Sequence, residues 1–448
     1  MLGRLNRCSG RAWGRAIIAC LLPVGVSADA TADEIHVPDD WPFIQQAISV
    51  ATDGDVIIAH PGQYTEHVDL MGKAITLRSI DPTDPGIVAG TRIVGPSSNP
   101  TVSCINGEGP NTLISGFTIT HLSPAASGSG MHIDQASPEV TYCVFYDNHA
   151  AEDGGGMYVY IGGPTIRHCT FSENSAGENG GGISLSSGGP TIEHCTFSGN
   201  SAGYDGGGMY SYFGDQIVTD CDFTDNTAEG DGGALSATIG SPRVSGCSFT
   251  SNAADTGGGL HGYLSSLTVE DCDFTTNVTV YGGGGMFLDG NEDVIIRRTT
   301  FTGNSATGGG AILNTLNYAL VDVTDCTFSL NSASTGKGGA IYTSPDGRTT
   351  LADCTFDGGP DAEHDSITGM EWEMLAPYSP PTGACCLNGG CIVATEAACT
   401  EAGGTYMGDE TTCADVDCPD PCPADVNDDE TVNIDDIFEV LAQWGPCP

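Results

Sequence analysis

Basic side chains are scarce in this sequence of 448 residues, where 13 Lys and Arg residues stand against 58 Asp and Glu residues. The formal net charge is −45. A surface this acidic repels phosphate backbones and anionic lipid headgroups, which disfavours a role in binding nucleic acid or anionic membranes. Soluble cations, above all calcium, are the more natural companions of such a chain.

The sequence also lacks a long apolar run, since residues 16–26 are too few to span a bilayer, which takes roughly 20. This run follows four arginines and precedes the small-x-small string Ala28-Asp29-Ala30. The order is typical of an export signal, so we expect residues 1–30 to be removed. Lipidation at Cys20 is the minor alternative. The mature protein is therefore predicted to be secreted or displayed on the cell surface, with no transmembrane segment and with disulfides permitted.

Helix-length amphipathic patterns are missing from the middle of the chain, and its 64 glycines follow no collagen-like period. A Phe-x-x-Asn motif recurs there instead, at intervals of about 26 residues. Cys stands two residues before the Phe in most copies, and a Gly-Gly-Gly/Ala string with an apolar residue follows the Asn. The phenylalanines are Phe145, Phe171, Phe197, Phe223, Phe249, Phe274, Phe301 and Phe328.

The period and the alternation of apolar residues within each copy predict an all-β solenoid. One copy holds roughly three short strands, and successive copies stack in parallel about 4.8 Å apart. A propeller is the remote alternative, since its blades need four longer antiparallel strands. Each aligned column then becomes a physical row: Phe and Cys inside, Asn at a bend as an amide ladder, and Gly in the bend that follows. We expect the stacked cysteines to be free buried thiols, because in-register stacking leaves their Cβ atoms too far apart for disulfides.

These repeats resemble those of chlamydial polymorphic outer-membrane proteins and of right-handed parallel β-helix proteins in the pectate-lyase-like superfamily. The opening strings at residues 35–38, 43–48, 54–58 and 61–64 are similar to the start of such folds, where a short amphipathic helix caps the first coil. The resemblance covers residues 35–375 and implies the fold. It leaves function open, because the same fold serves lyases, hydrolases, epimerases and adhesins.

Two small units are predicted beyond the solenoid. Residues 376–382 read as a stiff linker, and residues 383–418 hold six cysteines, which in an exported protein imply three disulfides with fifteen possible pairings. A zinc site is the poorer alternative there, because the segment has no Cys-x-x-Cys pair. Residues 422–448 carry oxygen ligands at positions 1, 3, 5, 7, 9 and 12 of a calcium loop, namely Asp425, Asn427, Asp429, Thr431, Asn433 and Asp436.

The calcium unit is similar to one half of a dockerin, which implies bound Ca²⁺ and a cohesin-like protein partner. It departs from that pattern in having Glu430 where Gly is usual, and in having one loop where dockerins have two. Cys422 and Cys447 flank the unit, and a disulfide between them is expected to substitute for the missing half. The alternative is an acidic solvated turn.

Two outward rows are candidates for function. The row around Arg298 admits a lyase-like base beside metal ligands, but ion pairs between stacked coils, such as Arg167 with Glu193 and Glu270 with Arg297, are the favoured interpretation. The second row is aromatic and admits stacking of sugar rings, against simple strand propensity as the alternative. Its members are Tyr158, Tyr160, Tyr210, Tyr212 and Tyr263, with His261, Phe287 and Tyr342 further along.

Two hypotheses on function remain. The favoured one is a non-catalytic, adhesin-like protein that binds polysaccharides or cell-surface glycans and is tethered through its calcium-loaded C-terminus. The other is a carbohydrate-active enzyme, either a polysaccharide lyase or a glycoside hydrolase. No catalytic residues are predicted from the sequence.

Overall fold

The computed structural model of the chain describes residues 32–96, 99–290, 293–315, 320–345, 347–356, 367–369, 372–374, 382–387, 390–395, 399 and 405–409. The predicted signal segment 1–30, the calcium unit 422–448 and its Cys422–Cys447 disulfide lie outside these residues. In the described part no helix is long and apolar enough to cross a membrane.

Within these residues the repeats form a parallel β-solenoid of about twelve coils, as the period predicts, whose strands make sheets A to D of 14, 12, 12 and 8 strands. Eight coils, from residue 139 to residue 343, pass through sheets A, B, D and C in turn, and the coils before and after them have no sheet D strand within the described residues. Sheet D is an addition to the roughly three strands expected per coil, because many of its strands are only two residues long, too short to show alternation.

The strands of sheets A and B run as follows. Sheet A contains Glu34–Val37, Val56–Ala59, Thr76–Ser79, Leu113–Ser115, Glu139–Thr141, Thr165–Arg167, Thr191–Glu193, Ile217–Thr219, Arg243–Ser245, Thr268–Glu270, Val294–Arg297, Leu320–Thr324, Arg348–Ala352 and Trp372–Met374. Sheet B contains Gly62–Thr65, Thr91–Gly95, Thr118–His121, Val144–Tyr146, Thr170–Ser172, Thr196–Ser198, Asp222–Thr224, Ser248–Thr250, Asp273–Thr275, Thr300–Thr302, Thr327–Ser329 and Thr355–Phe356.

Sheets C and D complete each coil. Sheet C contains Val68–Asp69, Val102–Cys104, Met131–Asp134, Met157–Tyr160, Ile183–Leu185, Met209–Tyr212, Leu235–Gly240, Leu260–Ser265, Met286–Asp289, Ile312–Asn314, Ile341–Thr343 and Ile367–Gly369. Sheet D contains His149–Ala150, Ser175–Ala176, Ser201–Ala202, Thr227–Ala228, Ala253–Thr256, Val278–Gly282, Ser305–Gly308 and Ser332–Lys337.

The phenylalanine column lies inside sheet B and is confirmed as a continuous stack. Phe171, Phe197 and Phe223 are fully buried, and their ring centroids are 4.9 and 4.5 Å apart with nearly parallel planes. Each ring inside the stack packs one face on the ring of the preceding coil and the other face on the ring of the following coil. The apolar residue after each Gly string is buried on the opposite side of the core, in sheet C.

Among the described residues nine cysteines are free thiols, and all but Cys354 are buried. Eight of them, Cys143 to Cys354, form the row that was predicted to be free, and the ninth is Cys104. Their sulfurs contact main-chain carbonyl oxygens; the Sγ of Cys195, for example, lies 3.3 Å from the carbonyl oxygen of Glu193. The thiol row therefore packs as small apolar core with its weak donors satisfied.

The Asn column forms the amide ladder that the repeat predicts. Asn226 donates from Nδ2 to the Phe197 carbonyl and to Oδ1 of Asn252, both at 3.0 Å. Its own Oδ1 accepts from the main-chain N and the Nδ2 of Asn200, at 3.1 and 2.9 Å. Every amide in the interior of the ladder thus links three coils while remaining fully buried.

The sharp corners between sheets use left-handed backbone. The corner between A and B places His168, His194, Asp220 and Arg298 at φ between 48° and 52°, so the charged row preceding the phenylalanines is a row of corner residues. In the bend before sheet C, Gly180 has φ of 68°, and a Cβ there would lie 2.3 Å from the Ile183 carbonyl oxygen. Only glycine fits this bend.

Two short helices accompany the first coils. Helix Ile44–Val50 buries Ile44, Ala47 and Ile48 against the core, as the cap prediction requires. The Glu66 carboxylate accepts from the main-chain N of Ile44 and Gln45 at 3.0 and 2.8 Å, which satisfies free donors at the helix N-terminus. Helix Pro85–Gly90 begins after Asp84, whose carboxylate accepts from the main-chain N of Gly86 at 2.7 Å.

A small antiparallel sheet follows the solenoid in sequence. Its strands are Thr382–Leu387, Gly390–Thr395 and Thr405–Asp409, in the order Gly390–Thr395, Thr382–Leu387, Thr405–Asp409. Cys399 is buried and disulfide-bonded. The full pairing of the six cysteines remains a prediction.

Replacing Asn226 by Ala should lower the free energy of unfolding by about 3 kcal/mol or more, because it leaves several buried partners unsatisfied at about 1–3 kcal/mol each. Denaturation followed by circular dichroism measures the loss. Thr227→Ala, at the adjacent exposed position, is the matched control and should change stability by about 0.5 kcal/mol or less. Equal effects of the two substitutions would show that the ladder is not a main source of stability.

Candidate functional site

The outward side of sheet C carries all five tyrosines predicted to bind a ligand. Register places Tyr158, Ser184 and Tyr210 in one row across three coils. A second row runs through Tyr212, Thr238 and Tyr263. We call the set Tyr158, Tyr160, Tyr210, Tyr212 and Tyr263 the tyrosine surface.

The tyrosine surface has a period of two coils, which the repeat itself does not require. Tyrosine-bearing strands alternate with strands that carry Ser or Thr at the same outward positions, so rings in one row stand ~9.6 Å apart, twice the ~4.8 Å strand spacing. At that distance the rings cannot stack on one another, in contrast to the phenylalanines inside. Several of them pack on other rings instead: Tyr158 meets His132 edge to face, and Tyr212 meets Phe213 edge to face. Tyr160, Tyr212 and Tyr263 remain about 40% exposed.

A cleft of about 210 Å³ opens between the first two tyrosine-bearing coils. Its floor is the strand containing Ser184, and its walls include Tyr158, Tyr210 and Tyr212. Asp153, Asn179 and Ser186 complete the lining. Aromatic walls with a few hydroxyl, amide and carboxylate groups are the chemistry of a site for a polar ring-shaped ligand.

An apolar edge borders the tyrosine surface at the corner between sheets C and A. It consists of Ile161, Phe213, Ile239 and Leu264, all in the left-handed region with φ between 49° and 56°. Bulky side chains there cost about 1–2 kcal/mol each, and Ile161 and Phe213 are also about half exposed, at 47% and 51%. The A–B corner uses mostly Asp, His and Gly at the equivalent positions. An exposed apolar edge therefore adjoins the tyrosine surface.

A row of Asp and Asn side chains lies beside the tyrosine surface, in the turn before each Gly string. Asp153 Oδ1 accepts from the main-chain N of Asn179 at 3.1 Å, and Asp205 Oδ1 accepts from that of Asp231 at 2.8 Å. Burial, with a further contribution from the Asp231 carboxylate, raises the pKa of Asp205 above its ordinary value. Adjacent coils therefore hold two carboxyl groups side by side, joined through the main-chain N of Asp231.

His261 lies against these carboxylates, and the expectation that it is an exposed member of the outward aromatic row is wrong. Its position is outward, as the alternation predicts, but only 4% of the residue is exposed. Its Nδ1 lies 3.7 Å from the Asp231 carboxylate and 3.4 Å from Ser236 Oγ, while its Nε2 is buried without a partner. Burial lowers the pKa of His261 despite the nearby Asp231, Asp205 and Asp289 carboxylates.

The sequence interpretation missed Asp205 and Asp231 because it took the segment before the Gly string as a variable turn. The signal was present: Asp153, Asn179, Asp205 and Asp231 each stand directly before the first Gly of that string. Side chains of this type cap turns by hydrogen-bonding to nearby main chain, which explains the column whether or not it binds a ligand.

The charged rows on sheet A and its corner form ion pairs between coils. Arg167 lies 2.7 Å from Glu193, as predicted. The expected pairing of Glu270 with Arg297 is wrong, although the two are register neighbours. Arg297 lies 3.5 Å from Asp322, and Glu270 lies 3.8 Å from Arg298.

Arg298 binds Asp271 with both arms of its guanidinium, at 2.7 and 2.9 Å. This pair raises the pKa of Arg298 and lowers that of Asp271. A guanidinium held in this way is a structural partner and is poorly placed to accept a proton.

The six predicted calcium ligands, Asp425 to Asp436, lie outside the described residues. In the part of the chain that the structure does describe, no group of three or more His, Cys, Asp or Glu side chains is already assembled around a metal position.

Comparison with known proteins places the repeats in one family. The family model described as the right handed beta helix region matches residues 97–274 and 181–356, which together cover more than half of the chain. No curated protein sequence matches the chain.

Three solved structures are similar to this chain. The PL6 family alginate lyase AlyGC shares 15% identity with a TM-score of 0.45, covering 93% of this chain and 59% of that one. The present chain thus spans about three fifths of the length of AlyGC. Pectate lyase Pel9A shares 13% identity (TM-score 0.34; 78% and 81% covered), and the Siphovirus 9NA tailspike receptor binding domain shares 10% (TM-score 0.36; 80% and 81% covered).

The burial of Tyr210 on the cleft wall gives a pH-dependent test. Burial raises the pKa of Tyr210 to about 12, so the folded state holds the phenolic proton more tightly, and its stabilising contribution is lost as pH rises through that value. The difference in tyrosinate absorbance between wild type and Tyr210→Phe should therefore have a midpoint near pH 12. A midpoint near the ordinary value of about 10 would mean that water reaches the cleft wall freely.

Proposed function

This chain belongs to the right-handed β-helix family, and from that premise we propose that it is a secreted or cell-surface protein that binds glycans on its tyrosine surface. The observation that carries the proposal is the alternation of tyrosine-bearing and Ser/Thr-bearing coils on sheet C. It produces aromatic ridges separated by polar grooves.

The spacing of these ridges matches the length of a glycan chain. A polysaccharide lying parallel to the solenoid axis would meet a ring about every 9.6 Å, roughly the length of two sugar units, and the exposed rings of Tyr160, Tyr212 and Tyr263 can each contact one pyranose. The Ser186 hydroxyl and the Asn179 amide line the groove between ridges, where they can hydrogen-bond to sugar hydroxyls.

The negative charge of the protein surface limits which glycans can bind to it. The chain has a formal charge of −45, and Asp153 lines the cleft itself. Uronate and sulfated polymers would be repelled by such a surface. We therefore propose a neutral or amino-sugar glycan as the ligand.

The C-terminal units serve as a tether in this proposal. Six oxygen-bearing residues at calcium-loop spacing support a bound Ca²⁺, and the similarity to half a dockerin supports a protein partner of the cohesin type. The buried disulfide at Cys399 supports a stapled module between solenoid and tether.

A second candidate is a carbohydrate-active enzyme, and one observation favours it. Asp205 and Asp231 stand on adjacent coils beside the cleft; burial raises the pKa of Asp205, and Asp231 lies 3.7 Å from His261. A pair of neighbouring carboxyl groups is the set that glycoside hydrolysis uses. Each carboxylate also serves the turn ladder, so the binding role remains the first proposal.

The glycan proposal predicts that Tyr158→Ala, Tyr210→Ala and Tyr212→Ala each weaken binding to neutral polysaccharides by about tenfold, which corresponds to about 1.4 kcal/mol per lost ring contact. Affinity electrophoresis of the full chain against neutral and acidic polysaccharides measures the effect. Tyr281→Ala is the matched control, because Tyr281 is 62% exposed but lies on sheet D.

Retention that is unchanged in all three tyrosine variants, or lost equally in Tyr281→Ala, would contradict the proposed surface. New reducing ends or unsaturated products in the same incubations, abolished by Asp231→Asn, would instead establish the enzyme. Binding without products supports the first proposal.

The calcium proposal predicts that Asp425→Ala and Asp436→Ala each abolish a high-affinity Ca²⁺ site measured by calorimetry at physiological salt. Asp428→Ala, at the non-coordinating position 4 of the loop, should keep it. Physiological salt screens the diffuse attraction of the acidic surface. If Asp428→Ala reduced affinity as much as Asp425→Ala, the binding would come from general charge and not from the loop.

A further inference from the structure

Two histidine rings meet at the N-terminal end of sheet A, far in sequence from the tyrosine surface. His36 lies in strand Glu34–Val37, and His60 directly follows the parallel neighbour Val56–Ala59. His36 Nδ1 is 3.3 Å from His60 Nε2, and the ring planes are inclined by 61°. Both side chains are 38% exposed, so solvent reaches them.

Carboxylates flank the two rings on both sides. The Asp39 carboxylate oxygen Oδ2 lies 3.9 Å from His60 Nε2, the same nitrogen that faces His36. The Glu34 carboxylate oxygen Oε2 lies 4.0 Å from His36 Nε2, on the far side of that ring.

The turn that carries Asp39 is held in place. The main-chain N of Asp40 donates to the His36 carbonyl at 2.8 Å, and the Asp40 carboxylate accepts from the main-chain N of His36 at 2.8 Å. His60 is fixed from the other side, because its main-chain N donates to the Val37 carbonyl at 2.8 Å. Asp39 and the two rings are therefore kept together by the main chain.

We propose that His36 Nδ1, His60 Nε2 and the Asp39 carboxylate bind a divalent transition-metal ion of the zinc type. Zn–N bonds of about 2.0–2.1 Å at a tetrahedral angle place two ligating nitrogens about 3.4 Å apart, close to the spacing observed between the two rings. A hydrogen bond between the rings also explains that spacing but leaves the Asp39 carboxylate without a role.

Glu34 supports the ligand geometry. A carboxylate near His36 Nε2 favours the tautomer with its proton on that nitrogen, which leaves the Nδ1 lone pair directed towards the metal. Asp39 is the ligand that has to move, by a rotation of its 71% exposed side chain. The site is therefore proposed to assemble when the ion binds, since the described residues show no preassembled metal group.

The ligand set differs from that of the C-terminal loop. Two imidazoles with one carboxylate suit zinc and its neighbours, whereas calcium takes oxygen ligands. The ion would tie strand Glu34–Val37 to strand Val56–Ala59 at the start of the solenoid, and a fourth position would remain for water.

Calorimetric titration of Zn²⁺ into the full chain, with Ca²⁺ saturating, tests the proposal. Wild type should show a site that His60→Ala and Asp39→Asn each weaken by about tenfold or more, with a smaller loss in Glu34→Gln. His60→Gln keeps a polar side chain of similar size and guards against a folding defect. His194→Ala, which removes an exposed histidine near Asp220, is the matched control and should leave the site unchanged.

Cobalt substitution gives an independent readout. Wild type should show the visible absorption of tetrahedral Co²⁺ with nitrogen and oxygen ligands, and His60→Ala should not. An equal Zn²⁺ affinity in wild type and His60→Ala would overturn the proposal. A thiolate-to-cobalt charge-transfer band would do the same, because it would place the ion among cysteines.

Discussion

The buried Asn ladder is the constraint on which the rest of the structure depends. Each interior amide has its donors and acceptor used by the coils before and after it, so a coil that slipped by one residue would leave several buried groups unsatisfied. The intervals between successive asparagines vary from 25 to 27 residues, yet the ladder is unbroken from Asn148 to Asn331. Length changes are absorbed elsewhere in the coil, and register is kept.

Register explains why so much of the core was predictable from the sequence and why parts of the surface were not. Phe171, Phe197 and Phe223 occupy one column in the alignment, and stacking turns that column into a row of touching rings. Burial of outward residues follows no such rule: His261 has the outward position that alternation gives it, but its neighbours cover it. The ion pair of Arg298 with Glu270 depends on side-chain reach around a corner, which register alone does not give.

The same stacking acts differently on the two sides of the coil. Inside, a phenylalanine on every coil uses both of its faces on its neighbours, which suits a core. Outside, tyrosine on every second coil leaves the rings too far apart to stack on one another, although consecutive tyrosines would have stacked favourably. Stacking alone therefore does not account for Ser184 and Thr238 between the tyrosines, and this alternation is the basis of the glycan proposal.

Repulsion between like charges on stacked coils constrains where acidic residues can stand. In-register stacking brings identical charges on adjacent coils to about 4.8 Å, so an unbroken acidic column is unfavourable. At the A–B corner Gly246 and Arg298 interrupt the acidic run, although Asp325 and Asp353 still stand on adjacent coils. Beside the tyrosine surface Asp205 and Asp231 also stand on adjacent coils, and burial there raises the pKa of Asp205. Stacking therefore tolerates neighbouring carboxylates at an exposed corner, and what sets Asp205 apart is its partial burial.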